Sequence, residues 1–348
     1  MTERDDRLAG IHRLTDFEPL ARAAMDPGAY EFVAGGAWDE ITLEENVASW
    51  RRRRFRPRTL IDVSGTDPST SLLGMPSRLP MAIAPTAFHG LAHPDGELAT
   101  ARAAGVAGVP YIHSTSSSRS IEDVAAAAPD ATRWFQLYLQ GAPGLSRSLV
   151  DRAAENGYRA IVLTVDLPVL GFRERDRRSG FVLPPLGNFD DTLPQPSRTT
   201  PNLTWDTLGE IRSWSPLPLV IKGILTAEDA RLAVEHGVDG VVVSNHGGRQ
   251  LDRTPAPLDV LEEVVAAVDG RLEVWVDGGV RRGLDIAIAL ALGARAVLVG
   301  RPILWALAAG GQAGVERALA ILGEEFDIAL RLLGAPTPAA LGRDHVIA

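Results

Sequence analysis

Between residues 79 and 300 the chain alternates short apolar runs with polar, helix-forming stretches, and the rhythm repeats eight times. The runs are LPMAIAP (79–85), VPYIHS (109–114), RWFQLY (133–138), AIVLTVD (160–166), LPLVIKG (217–223), GVVVSN (240–245), LEVWVDGG (272–279) and ARAVLVG (294–300). Their apolar residues fall at consecutive positions, the pattern of strands buried on both faces of a parallel sheet. Helix-start signals lie between them. Ser120-Ile121-Glu122-Asp123 and Thr226-Ala227-Glu228-Asp229 each set a hydroxyl cap three residues before an acid, and Gly237 reads as a helix stop. Eight βα units predict an α/β protein, a (β/α)₈ TIM barrel. The alternative is a doubly wound open sheet, but no GxGxxG opens a first helix.

One interval breaks the rhythm. The fourth and fifth runs stand nearly twice the usual distance apart, and the excess (172–205) is rich in Pro, Arg, Asp and Thr. A loop that long in a compact domain is expected to be a lid or a binding loop. No low-complexity linker divides the chain, so residues 1–348 read as one domain with an N-terminal extension over 1–75.

Charge narrows the partners. Lys+Arg 35 against Asp+Glu 44 gives a net charge of −9, which disfavours nucleic-acid or anionic-membrane binding. The basic run Arg51–Arg54 is the local exception and is read as solvated or ion-paired. With no cysteine there are no disulfides, thiolate nucleophiles or thiolate metal sites. The N-terminus lacks an apolar signal core and no run reaches transmembrane length, so a cytoplasmic protein is expected. Lys222 is the sole lysine, every other member of the 35 being arginine. That ammonium is a candidate for chemistry a guanidinium cannot do.

In such barrels chemistry gathers at the C-terminal strand ends. The first run closes with Pro85-Thr86-Ala87 and the second with Ser114; the third carries Gln136 and Tyr138, and the fourth Thr164 and Asp166. Lys222 closes the fifth run, Ser244-Asn245-His246-Gly247-Gly248-Arg249 the sixth, Asp277-Gly278-Gly279-Val280-Arg281 the seventh, and Gly300-Arg301 the eighth. The glycine–arginine clusters after strands seven and eight suit a phosphate. His246 and Arg249 fit a general base beside an anion clamp, with Asp166 holding the imidazole's other nitrogen. His89 and His93 are candidates for the mouth of the site, and His236 reads as solvated. No HxH or HExxH pattern occurs, so no metal is expected.

SNHGGRQLD, with LTVD, FQLY, IAPTA, VIKGI, DGGVRRG and GRP, resembles the FMN-dependent α-hydroxy-acid oxidase/dehydrogenase family, which includes glycolate oxidase, lactate oxidase, mandelate dehydrogenase and hydroxymandelate oxidase. The resemblance runs from about residue 15 to 335. It implies FMN held by Pro85, Thr86, Ala87, Ser114, Gln136, Thr164, Lys222 and Ser244, with its phosphate on Asp277, Gly278, Gly279, Val280, Arg281, Gly300 and Arg301. Lys222 would stabilise the negative charge of the reduced cofactor. It further implies that His246 takes the hydroxyl proton of an (S)-2-hydroxy acid, that Asp166 supports the imidazolium, that Arg249 and Arg173 bind the carboxylate, and that Tyr138 bonds the reacting oxygen.

Two positions depart from the glycolate-type pattern. Phe32 stands where that pattern has a carboxylate-binding tyrosine, and Ser116 where glycolate oxidase has a tryptophan. Together they exchange a polar grip for apolar room, so the expected substrate is bulky or aryl, like mandelate. The expected acceptor is O₂, giving H₂O₂, and the family implies a homo-oligomer, a tetramer. Three alternatives remain at this point: a lactate- or glycolate-type dehydrogenase with another acceptor, a Schiff-base aldolase acting through Lys222, and a non-catalytic FMN-binding scaffold. The cofactor expectation has a direct check. The protein should purify yellow, and denaturation should release FMN; release of FAD, or of no flavin, would refute it.

Overall fold

The computed structural model describes Leu8 and residues 10–142, 144–189 and 201–347. All eight apolar runs form strands: β1 (Met81–Ile83), β2 (Tyr111–Ser114), β3 (Arg133–Leu137), β4 (Ile161–Thr164), β5 (Leu219–Ile224), β6 (Gly240–Val243), β7 (Glu273–Val276) and β8 (Ala296–Val299). They are parallel, pair in chain order, and close when β8 bonds to β1. Among the described residues of the extension lie the helices α1 (Phe17–Ala24), α2 (Pro27–Ala34) and α3 (Ile41–Arg52). Around the barrel follow α4 (Gly96–Ala107), α5 (Ile121–Ala127), α6 (Leu145–Glu155), α7 (Glu174–Ser179), α8 (Trp205–Trp214), α9 (Ala227–Glu235), α10 (Pro257–Val268), α11 (Gly283–Ala291) and α12 (Arg301–Leu333), the last broken at Gly311.

The continuous apolar runs follow from burial on both faces. One set of alternate residues, among them Ile112, Trp134, Val162, Val220, Val242, Trp275 and Leu298, fills the barrel axis. The other set, including Met81, Ile83, Phe135 and Leu163, joins the larger core beneath the helices. At the axis Trp134 and Trp275 stack with centroids 5.1 Å apart and planes 10° apart. A hairpin (Thr70–Leu72 with Met75–Ser77) adds Leu72 to this interior. It is tied to the strands' N-terminal ends where the Leu73 N–H donates to Glu273 Oε1 and Arg295 donates to Ser71. The opposite end is left for chemistry.

The local signals act as read. The Ser120 and Thr226 hydroxyls accept the N–H groups of Asp123 (3.0 Å) and Asp229 (3.2 Å). Gly237 turns left-handed just beyond α9. In the basic run, Arg52 bridges Glu45 and Asp259, and Arg53 also reaches Asp259. The long interval contains α7 and then a segment fixed by Asn188. That buried amide donates to the carbonyls of Ser114 and Thr115 and to Ser117 Oγ, over the end of β2. Residues 190–200 of the interval lie outside the described residues. Among the described residues no helix is long and apolar enough to cross a membrane.

Trp275→Ala removes half of the axial stack from a close-packed interior. The expected loss is about 3–5 kcal/mol of stability, read by denaturant unfolding. A loss below about 1 kcal/mol would show that the barrel interior collapses around the gap.

Candidate active site

A cavity of about 350 Å³ opens at the C-terminal strand ends. Its wall includes Phe32, Pro85, Thr86, Ala87, Ser116, Tyr138, Arg173, Lys222, His246, Arg249, Asp277, Gly278, Gly279, Val280, Arg281, Gly300 and Arg301. Five residues named from the sequence lie behind this wall. The Ser114 hydroxyl donates to Gln136 Oε1 (3.0 Å) and the Gln136 amide donates to Thr164 Oγ1 (3.0 Å), forming a buried row beneath the surface. Ser244 is reached from Lys222 Nζ at 2.7 Å, and Asp166 stands behind His246.

His246 Nδ1 lies 2.8 Å from Asp166 Oδ1, and its Nε2 lies 3.4 Å from the Tyr138 hydroxyl. The carboxylate accepts a hydrogen bond from Nδ1–H, which leaves Nε2 unprotonated, with its lone pair toward the cavity and the Tyr138 hydroxyl. Gly223 makes the approach of Asp166 feasible. It sits at a register shift in β5 with φ +121°, and a Cβ there would lie 2.6 Å from that of Asp166. Burial pushes the imidazole pKa down, and the Asp166 charge and hydrogen bond only partly offset this, so His246 titrates below its ordinary value. For Asp166, burial pushes the carboxyl up, but the His246 charge, its hydrogen bond and Lys222 outweigh that and hold it below its ordinary value. The pair therefore rests as carboxylate beside neutral imidazole, the state a general base needs. Burial likewise drives the Tyr138 hydroxyl up to about 12, so it is a proton-bearing donor.

Lys222 Nζ is 3.0 Å from Asp277 Oδ2. Burial works against its charge, but Asp277 and then Asp166 outweigh it and raise the ammonium above its ordinary value. A Schiff-base aldolase needs a neutral amine at this point, so the pair removes that alternative. The arginines are treated differently. Arg249 Nη1 donates to the carbonyls of Phe32 and Gly35, both at 2.8 Å, with the guanidinium 5.1 Å above the Phe32 ring. Among the described residues its Nε and Nη2 have no hydrogen-bond partner. Arg173 donates to the carbonyl of Arg249 and to Gln250. Arg301 spends Nε, Nη1 and Nη2 on the carbonyls of Val33, Gly247 and Gly35, so its side chain ties loops together and its place at the start of α12 faces the cavity. Burial lowers Arg249 well below its ordinary value, and brings Arg281 and Arg301 each to about 10. These are cations without full neutralisation, waiting for anions.

FMN fits these groups. Gly278 and Gly279, both at φ +85°, lie beside Arg281 and the start of α12, a phosphate-binding donor set. Asp277 Oδ1 is buried without a partner among the described residues, an acceptor for a ribityl hydroxyl.

The expectation for the first loop's histidines needs correction. His89 does not stand at the mouth: it is fully buried, with Nε2 2.7 Å from Thr86 Oγ1 and Nδ1 2.9 Å from Thr100 Oγ1. His93 does not line the cavity either. His236 is exposed at the end of α9, stacked on Trp205 at 5.4 Å. Sequence reasoning missed Phe88, Leu167, Leu170, Gly171, Asp176, Arg177 and Leu183 on the wall. Phe88 meets the Phe32 ring edge-on at 6.2 Å. Six of the seven lie between the fourth and fifth runs, and the unusual length of that interval was the available signal.

A barrel with a paired base and a phosphate cradle defines a flavin oxidoreductase acting on a carbinol. Comparison with known proteins agrees: a model of the FMN-dependent dehydrogenase family matches residues 21–348, and the chain belongs to that family. L-lactate oxidase of Nostoc sp. is 50% identical over 342 residues, covering 92% of this chain and 94% of its own. Human 2-hydroxyacid oxidase 2 is 46% identical over 344 residues, covering 96% and 97%. The crystal structure of mandelate oxidase with benzoyl-formic acid superposes with a TM-score of 0.91 at 44% identity, covering 97% and 98%.

Asp166→Asn should lower the maximal rate by about 10²–10⁴-fold. It should also move the acid limb of the pH–rate profile to lower pH, because the carboxylate's pull on the imidazole proton is lost. A limb that stays in place would show that His246 is not the titrating base.

Proposed function

We propose that the protein oxidises an (S)-2-hydroxy acid to the 2-oxo acid, with FMN as the bound oxidant and O₂ as the final acceptor, and that its preferred substrate carries an aryl group on the carbinol carbon. The reading rests on one observation: a neutral imidazole, locked at Nδ1 by a buried carboxylate, shares the cavity with Arg249, whose Nε and Nη2 have no partner among the described residues. The flavin when bound supplies the two-electron oxidation. Pro85-Thr86-Ala87, Lys222 and Asp277 with the loop to Arg281 would hold it, over the buried row Ser114, Gln136, Thr164 and Ser244.

The chain's residues supply the rest. The free edge of Arg249, aided by Arg173, receives the carboxylate in a bidentate fork and presents the hydroxyl to His246 Nε2. The imidazole takes the hydroxyl proton, and Asp166 stabilises the resulting imidazolium without accepting the proton. Tyr138 donates to the same oxygen and fixes its orientation. The Phe32 and Phe88 rings, with centroids 6.2 Å apart, offer the substituent an aromatic wall, Phe181 packs against Phe32 at 6.4 Å, and Ser116 leaves the substituent room. The mandelate oxidase similarity supports an aryl substrate. The 50% identity to a lactate oxidase keeps lactate as the second reading. For location and assembly the proposal keeps the cytoplasmic homo-oligomer expected from the sequence, a tetramer by family resemblance.

Burying a phenyl ring contributes about 1.5–3 kcal/mol, more than one lost hydrogen bond of about 0.5–1.5. In air, with peroxide as the readout, mandelate should therefore exceed lactate and glycolate in kcat/KM by about tenfold or more. Phe32→Tyr should narrow that gap. A tenfold preference for lactate or glycolate would end the aryl assignment, and fast flavin reduction without peroxide would make the enzyme a dehydrogenase.

A further inference from the structure

Helix α3 supplies no group to the cavity wall, yet it bonds to both loops that carry the chemistry. Its Asn46, 1% exposed, faces Asn245 in a reciprocal amide pair. Asn46 Nδ2 donates to Asn245 Oδ1 at 2.8 Å, and Asn245 Nδ2 donates back to Asn46 Oδ1 at 2.7 Å. Asn245 is otherwise committed as well: its Oδ1 accepts the Gly248 N–H and its Nδ2 donates to the Pro255 carbonyl, both at 3.1 Å. One amide thus spans the turn that presents His246 and fastens it to the extension. The turn needs fastening, because His246, Gly247 and Gly248 are left-handed in succession (φ +58°, +65°, +73°), and the histidine pays a steric penalty there that the glycines do not.

One helical turn on, the Trp50 indole N–H donates to the Gly278 carbonyl at 2.8 Å. Residues four apart share a helix face, and that face presses on the glycine pair. A Cβ on Gly279 would fall 1.8 Å from the Asn46 carbonyl oxygen. Glycine at 279 is therefore required by helix approach as well as by its φ of +85°.

We infer that Asn46 and Trp50 are positioning residues that couple occupancy of the phosphate loop to placement of the catalytic imidazole, with α3 as a shared backstop. The inference rests on the proposed roles of His246 and of the 277–281 loop. Both ties are buried or nearly so, and water cannot readily replace a lost partner. Coupling of this kind is reciprocal: a lesion in the base loop must weaken cofactor binding to the same extent that cofactor binding orders the base loop.

The test uses the full chain, stripped of flavin and titrated with FMN, with quenching of flavin fluorescence as the readout. Asn46→Ala and Asn245→Ala should each weaken FMN by about tenfold, and the double variant by little more, since neighbours in one network are not additive. Reconstituted at saturating FMN, Asn46→Ala should lose tenfold or more in kcat with KM moving less than threefold, because Arg249 keeps its own ties to Phe32 and Gly35. Trp50→Phe removes the N–H donor while keeping an aromatic ring in its buried seat, and so guards against a folding failure; it should weaken FMN several-fold in a chain that still unfolds cooperatively. A double variant near the hundredfold product of the singles, or FMN affinity within twofold of the parent in both Asn46→Ala and Trp50→Phe, overturns the coupling. FMN affinity needs no substrate, so a wrong substrate assignment leaves this outcome readable, whereas failure of the parent to bind FMN overturns both.

Discussion

The site hangs on the C-terminal end of helix α2. The last carbonyls of a helix have no partner within it and carry the negative end of its dipole. Here those of Phe32 and Val33, with that of Gly35 just beyond, are taken up by Arg249 and Arg301, which arrive from the ends of β6 and β8. Carbonyls satisfy guanidinium hydrogens without cancelling the charge. The arrangement therefore achieves two things at once. It locks the extension across the barrel mouth, and it stores positive charge where burial makes that charge costly, as the depressed Arg249 shows. An anion entering the cavity relieves that cost.

Beside these unspent edges the deeper ionisable groups are paired one to one. Lys222 meets Asp277, and Asp166 meets His246, each at about 3 Å. The division has a chemical logic. Groups that hold or move charge during the reaction are paired within the protein, and groups that must greet a ligand are left with unspent donors. Asp176 shares the wall with Arg249 and Arg173; burial pushes its carboxyl up, and the two arginines pull only part of the way back.

The barrel was legible because strands buried on both faces leave continuous apolar runs, and because closure places every run's polar last residue at one end. His246, Asp166, Lys222 and Arg249 could be found on that basis alone. The extension was not legible in the same way. Its helices interact with loops about 200 residues distant, as in Thr42 with Asp252 and Trp50 with Gly278. Nothing local in the sequence announces such partners. Gly278-Gly279 has in sequence the look of a phosphate turn, but the approach of α3 is an equal reason for its second glycine. His89 shows the complementary limit: a histidine after a barrel strand looks available in sequence, and only packing reveals that it is sealed between two threonines.

The solitary lysine has a consequence for the outside of the molecule. The protein's one ε-amine is 5% exposed and held in an ion pair under the cavity. The surface consequently carries its permanent positive side-chain charges as guanidinium groups. Amine-directed reagents such as succinimidyl esters or glutaraldehyde, and cellular modifications that build isopeptide or acetyl-lysine bonds, find no side chain to react with there. Any covalent tag attached through a lysine would first have to pass through the substrate entrance and displace Asp277, so the chemistry of the interior and the inertness of the exterior have one residue in common.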